Sequence, residues 1–297
     1  MITIISPRVH DLGGFQVRRA VPTSKASSIG PFVFVDQMGP AVFQPGQGVD
    51  VRPHPHIGLA TVTFLWSGVI HHRDSLGSAQ DIEAGDVNWM TAGRGITHSE
   101  RTPSRLRGQE HPLHGMQTWV ALPRSAEETG PAFHHHAAAA LPEQRHGGCR
   151  LRVIAGRGFG EESPVRVFSD TLCVAIDMDA GAEVMLDGGH AERALYLLEG
   201  SARLEGSDLP TMHLIILEPG SRPRLSATSP LKAMLLGGEP LDGPRHVWWN
   251  FVSSSQERIE QARQDWVEGR FDAVPGDAEF IPLPGDAPSP PVYPGPN

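Results

Sequence analysis

Two short stretches of this chain place side chains of ligand type two residues apart. Pro53-His54-Pro55-His56 runs into the apolar stretch Leu59 to Trp66, and Gly93-Arg94-Gly95-Ile96-Thr97-His98-Ser99-Glu100 later ends in a second such pair. Along extended backbone, side chains alternate, so residues i and i+2 share a face. His54 and His56 therefore project together, as do His98 and Glu100, and Pro53 and Pro55 bias the first pair toward extended backbone. Two same-face pairs on neighbouring strands would bring three imidazoles and one carboxylate to one point. That donor set suits Fe(II), Mn, Ni, Cu or Zn, and it leaves about two octahedral positions for water, oxygen or a chelating substrate. The expectation is one transition metal ion held by His54, His56, His98 and Glu100.

The elements that must position these groups read as strands. Short apolar runs such as 32–35, 60–66, 172–176, 194–198 and 214–217 are separated by glycine, proline and aspartate, the pattern of a sandwich or barrel. Ser254-Ser255-Gln256-Glu257 is a capping box, followed by Ile259, Ala262 and Trp266 at helical spacing and by Gly269, which predicts a helix from about 255 to 268. A weak internal repeat is also present. Thr63 to Gly68 followed by Ile82-Glu83-Ala84-Gly85 is echoed by Leu195 to Gly200 followed by Leu217-Glu218-Pro219-Gly220. A repeat on that scale implies two similar domains in tandem. The expected division is a metal-binding barrel over 1–135, a second barrel over 140–270 that lacks metal and ends in the helix, and a tail over 271–297. From Ile281 onward that tail carries Pro282, Pro284, Pro288, Pro290, Pro291, Pro294 and Pro296, a density that sustains neither helix nor ladder.

Composition narrows the function. The formal charge is −9 with no basic block, so direct nucleic-acid binding is not expected. No apolar run is long enough to span a membrane, and the segment from Met1 to Arg8 has no leader character, so a cytoplasmic location is expected. The two cysteines, Cys149 and Cys173, show no disulfide framework and no neighbouring His/Asp pattern that would mark a nucleophile. Gly93-x-Gly95 lacks the lysine of a phosphate loop.

Histidine is in excess, at 15 copies. His71 and His72 are expected in a surface turn at a strand end and His134-His135-His136 in a linker near 130–145; His111 and His114 could line a cavity mouth, the less favoured reading of that pair. His190 and Glu192 lie near the matching strand of the second half, but no His-x-Glu follows Leu217 to Gly220.

The stretches His54-Pro55-His56, His72-Arg73-Asp74-Ser75-Leu76-Gly77, Gly85-Asp86-Val87, Trp89 to Glu100, Phe32 to Asp36 and Trp248 to Ser255 together resemble the pirin family of bicupins. The resemblance spans roughly residues 5 to 270. It implies an all-β chain of two cupin-type barrels with a C-terminal helix, iron in the N-terminal barrel, and ligands at His54, His56, His98 and Glu100. Many pirins carry glutamate at the position of Ala60, a departure expected to alter the pocket beside the metal. The resemblance also implies two functions. One is a quercetin 2,3-dioxygenase-type reaction on a small aromatic substrate, a flavonol or catechol, with Glu100 as ligand and base. The alternative is a non-enzymatic, redox-dependent regulator that binds a transcription factor or metabolic enzyme. A monomer is expected, and an inert storage-like barrel is the least specific reading.

Overall fold

The structure, a computed structural model, describes residues 3–11 and 15–285 together with the backbone of 292–293. Strands dominate, as the β-branched and aromatic runs require, and they close into two cupin barrels. One compact unit comprises Met1–Arg8, Arg18–Val35 and Ala137–Pro240; the other comprises Val9–Val17, Asp36–His136 and Leu241–Asn297.

The unit built mainly from the second half has a core of wholly buried aliphatics, among them Leu172, Val174, Ile176, Leu195, Leu197, Ile215 and Leu235. Its sheet takes in the start of the chain, since Thr3–Ile5 pairs antiparallel with His213–Leu217. Segments that precede residue 36 thus help complete the barrel that the sequence assigns to residues 140–270.

In the other unit, Ala132–His136, Val87–Thr91, Leu59–Ser67 and His111–Ala121 lie side by side in one sheet. Asp50–His56, Ile96–Arg101, Ile70–Asp74 and Ala79–Ile82 form the facing one. The triple-histidine segment is therefore an edge strand and not a linker: its alternation puts Phe133 and His135 on one side, and its backbone is spent on the Val87–Thr91 ladder.

The internal repeat has a stereochemical basis. Gly68 and Gly200 each end a strand at positive φ (91° and 85°), and a Cβ there would meet Pro112 O at 2.4 Å and Pro230 O at 2.1 Å respectively. Both halves use glycine for the same close approach of a strand end to its neighbour.

The predicted helix is Gln256–Val267, with the Ser255 hydroxyl accepting from the Arg258 amide. It does not pack as the end of the second barrel. Ile259 and Ala262 bury against Ile57, Trp248 and Phe251, in the unit that carries His54 and His56. The reason is a narrow apolar stripe that fits the aromatic cluster of residues 248–251 and 266–271. Beyond the helix, the Trp266 indole donates to Ile281 O (2.9 Å) and the Ile281 amide to Pro53 O (2.8 Å), which fixes the chain against the histidine strand. The expectation that the tail supports no ladder fails at one point: Val292–Tyr293 pairs with Arg245–His246. Pro288, Pro290, Pro291, Pro294 and Pro296 lie outside the described residues. Among the described residues, no helix is long and apolar enough to cross a membrane.

Candidate metal centre

The antiparallel ladder between Asp50–His56 and Ile96–Arg101 sets His98 opposite His54 and Ile96 opposite His56. This register brings His98 to the His54/His56 pair, as the spacing demands. Ring centroids are 4.4 Å apart for His54–His98 and 5.0 Å apart for both His54–His56 and His56–His98. One nitrogen from each ring lies within 4.8 Å of the other two, and all three side chains are buried.

Tautomers follow from the partners. His54 Nδ1 donates to Arg52 O (2.9 Å) and His56 Nδ1 to Asn250 O (3.1 Å), which leaves each Nε2 with a free lone pair. His98 Nε2 is buried with no hydrogen-bond partner. An orphaned buried imidazole nitrogen costs on the order of 1–3 kcal/mol, a penalty that an ion removes. Burial also favours the neutral, ligand-competent form. It pulls His54 down to about 4 against the raising effect of its Arg52 bond, and it drives His56 and His98 well below the usual imidazole range. The donor set fits a transition ion.

The Glu100 carboxylate lies outside the group of ligand atoms that are all within 4.8 Å of one another. The ladder register slips between His98 and Glu100, so Glu100 faces Val51 on one side and His72 on the other. The extra residue lies on the Asp50–His56 strand, since His98 to Arg101 keep an unbroken register against His71 to Asp74, so Glu100 stays on the strand face of His98. The Glu100 carboxylate meets Gln117, whose Nε2 donates to Oε1 and Oε2 at 2.8 Å each. Burial raises the Glu100 pKa, and the bonds from Gln117 and Thr63 oppose it. The carboxylate is thus buried, pinned and more basic than an exposed one, beside the three imidazoles but not among them.

Sequence reasoning missed His72 and Gln117. His72 is 3% exposed, not part of a surface turn. It stacks on Phe133 (4.2 Å, 10° between planes), and its Nδ1 lies 3.4 Å from His98 Nδ1. The strand Ile70–Asp74 alternates buried and half-buried positions, so Ile70, His72 and Asp74 face inward while His71 reaches Asp81 at 2.6 Å. That alternation was the available signal. Gln117 carried none, since its partners lie on other strands.

The remaining residues sort by contact. His111 donates from Nδ1 to Gln109 O and packs on Phe43, and His114 lies 5.6 Å from the Trp66 ring; both are buried and neither joins the cluster. His190 has both nitrogens engaged, with Asp170 (2.6 Å) and Arg157 O (2.9 Å), while Glu192 accepts from the Gly30 amide. Cys149 and Cys173 are free and buried, and burial pushes both thiols up. Ala60 lies on the strand face opposite Thr61 and Thr63, whereas Thr63 meets Gln117. The Ala60 departure therefore leaves the Glu100 surroundings intact.

The loop Gly93 to Gly95 is held by close contacts. Gly93 has φ +53°, and a Cβ there would sit 2.0 Å from Thr129 O. Arg258 of the C-terminal helix donates to Arg94 O (2.6 Å) and to Glu128 (2.9 Å). The buried Arg245 lies 2.7 Å from Glu127 (Nε to Oε1), and Glu127 in turn accepts from the Ser254 amide and hydroxyl. These bonds hold the segment that presents Asn250 O to His56.

Comparison with known proteins agrees with this architecture. The Pirin family matches residues 14–120, and its C-terminal cupin domain matches residues 173–272. A pirin-like protein of Caulobacter vibrioides is 47% identical over 285 residues, covering 95% of this chain and 98% of that protein. The crystal structure of a quercetin 2,3-dioxygenase from Acinetobacter baumannii superposes with TM-score 0.89 at 32% identity, covering 97% of both chains. A second structure of that name from the same organism gives 0.85 at 27% identity, covering 91% of this chain and 97% of that one. With both halves matched and the relatives spanned nearly end to end, the chain belongs to the pirin family of the cupin superfamily.

Proposed function

We propose that this pirin is a metal-dependent oxygenase of the quercetin 2,3-dioxygenase type, acting on flavonol or catechol-like substrates. The observation that carries this reading is the juxtaposition of three buried, neutral imidazoles with one buried carboxylate of raised pKa. The resemblance in sequence and fold to the Acinetobacter baumannii quercetin 2,3-dioxygenase supports the substrate class.

His54, His56 and His98 would hold the ion, and Glu100 would join them or remain free as a base. A bound transition ion, Fe(II) first among the candidates, would supply Lewis acidity toward a phenolic hydroxyl and redox chemistry toward dioxygen. The protein does the rest. A free phenol titrates near 10, about six units above an ordinary carboxyl, so proton removal needs a positioned and strengthened base. Burial strengthens Glu100, and Gln117 positions it. A proton taken up at one Glu100 oxygen makes that oxygen a donor and a weaker acceptor, which loosens its bond from Gln117. The Thr63 hydroxyl, 3.3 Å from Gln117 Nε2, is the alternative acceptor. Trp119, edge-on to His56 at 5.1 Å, shields that ring from bulk water.

Oxygen uptake tests the proposal. Iron- or copper-loaded protein should consume dioxygen with quercetin, and simple catechols should report how much of the flavonol is needed. Stoichiometric metal with no uptake across flavonols and catechols would reject it.

A further inference from the structure

Outside the three imidazoles, one buried chain of side chains has no part in the mechanism above. Asp74 is wholly buried, and its Oδ1 accepts from the amides of Leu76 (2.9 Å) and Ser78 (3.0 Å). Its Oδ2 faces His72 Nε2 at 2.9 Å, and His72 Nδ1 faces His98 Nδ1 at 3.4 Å. The β-ladder enforces this order, with His98 directly opposite Asp74 and Glu100 directly opposite His72. Phe133 stacks on the remaining face of the His72 ring.

From this geometry we infer that Asp74 and His72 are positioning residues that fix the tautomer of His98 and so keep its Nε2 lone pair turned to the ion. The inference rests on the reading of His54, His56 and His98 as ligands. A carboxylate oxygen only accepts, so His72 carries its hydrogen on Nε2, and its Nδ1 is then an acceptor. Only one hydrogen fits between the two Nδ1 atoms, and it belongs to His98. His98 Nε2 is left bare, in keeping with its lack of any protein partner. His54 and His56 reach the same tautomer through backbone carbonyls, whereas the partner of His98 Nδ1 is the His72 side chain. Outer partners of this kind are worth roughly 10–100-fold in metal affinity.

The Asp74→Asn variant reverses the relay with little change of shape. The Leu76 and Ser78 amides hold the amide oxygen at the Oδ1 position, so the NH2 group must face His72 Nε2. His72 then shifts its hydrogen to Nδ1 and donates to His98 Nδ1, which places a hydrogen on His98 Nε2, facing the ion. The test uses the full chain. Long-range proton–nitrogen NMR of histidine-labelled, metal-free protein reads both tautomers, and competition with a chromophoric chelator reads Zn(II) affinity. The unaltered protein should show a protonated Nδ1 and a bare Nε2 on His98, with the reverse on His72. Asp74→Asn should invert both rings and weaken Zn(II) by roughly 10–100-fold. A protonated Nε2 on His98 in the unaltered protein overturns the inference, even if the variant fails to fold. So does a folded variant that binds Zn(II) as tightly as the unaltered chain. Failure of the unaltered chain to bind Zn(II) at all instead overturns the ligand assignment beneath it.

Discussion

The side-chain nitrogen of Gln117 lies 2.8 Å from each oxygen of Glu100, so one amide grips both corners of the carboxylate. Removing that grip in Gln117→Leu leaves a buried charge without its donor. The Glu100 pKa, already raised by burial, should rise further, and the acid limb of the pH–rate profile should move to higher pH. Metal-free protein should lose about 1–3 kcal/mol of stability. Rate profiles and denaturant melts check both parts, and an unmoved acid limb would show that Gln117 does not govern Glu100.

Glu100→Gln keeps the shape and removes the base. Turnover should fall roughly 10²–10⁴-fold, the usual worth of a positioned proton acceptor. Stability of the metal-free chain should hold or improve, because a neutral amide is cheaper to bury than a carboxylate. Elemental analysis of the purified variant separates the two roles: full metal content with lost turnover marks a base, and lost metal marks a ligand.

Acid should destabilise the metal-free protein through the buried histidines. His54 titrates near 4 when folded and near 6.5 when unfolded, so between those values the unfolded chain binds more protons. Stability from this group is therefore complete above about 6.5 and is lost as pH falls toward 4. The depression corresponds to roughly 3 kcal/mol, and His56 and His98 act in the same direction. Urea melts from pH 7 to 4 should show the decline. A flat profile would mean that these rings are not buried as neutral groups.

Arg245 is wholly buried against Glu127 and also donates to Leu122 O at 2.9 Å. Arg245→Met strands the glutamate, a change that costs about 3–5 kcal/mol, or roughly 10 °C in melting temperature for a chain of this size. Zn(II) affinity should fall as well, because the segment held by Glu127 presents Asn250 O to His56. Calorimetry and chelator competition provide the two readouts.

How much of this was legible in the sequence depends on range. His54, His56 and His98 could be gathered from spacing alone, because strand alternation is a local rule and one antiparallel ladder completes it. Glu100 follows the same rule along an unbroken strand, but spacing could not show that Gln117, from another strand, holds its carboxylate. His72 was misread because two adjacent histidines beside Arg73 and Asp74 look like a polar strand end, although their alternation was there to follow. The Ser255 cap and the helix were predicted nearly to the residue. Where that helix docks was not, since its partner Ile57 lies about 200 positions earlier in the chain.

The bond from His56 Nδ1 to Asn250 O spans 194 residues and has a temporal side. During synthesis the paired histidines leave the ribosome while Asn250, Glu127's partner Ser254 and the clamping Arg258 are still untranslated. Until those residues arrive, the His56 ring has no carbonyl to orient it, and any ion it meets finds a loose imidazole. The orientation of the His56 ring is therefore a property of the finished chain, and a chain cut short of Asn250 would lack it.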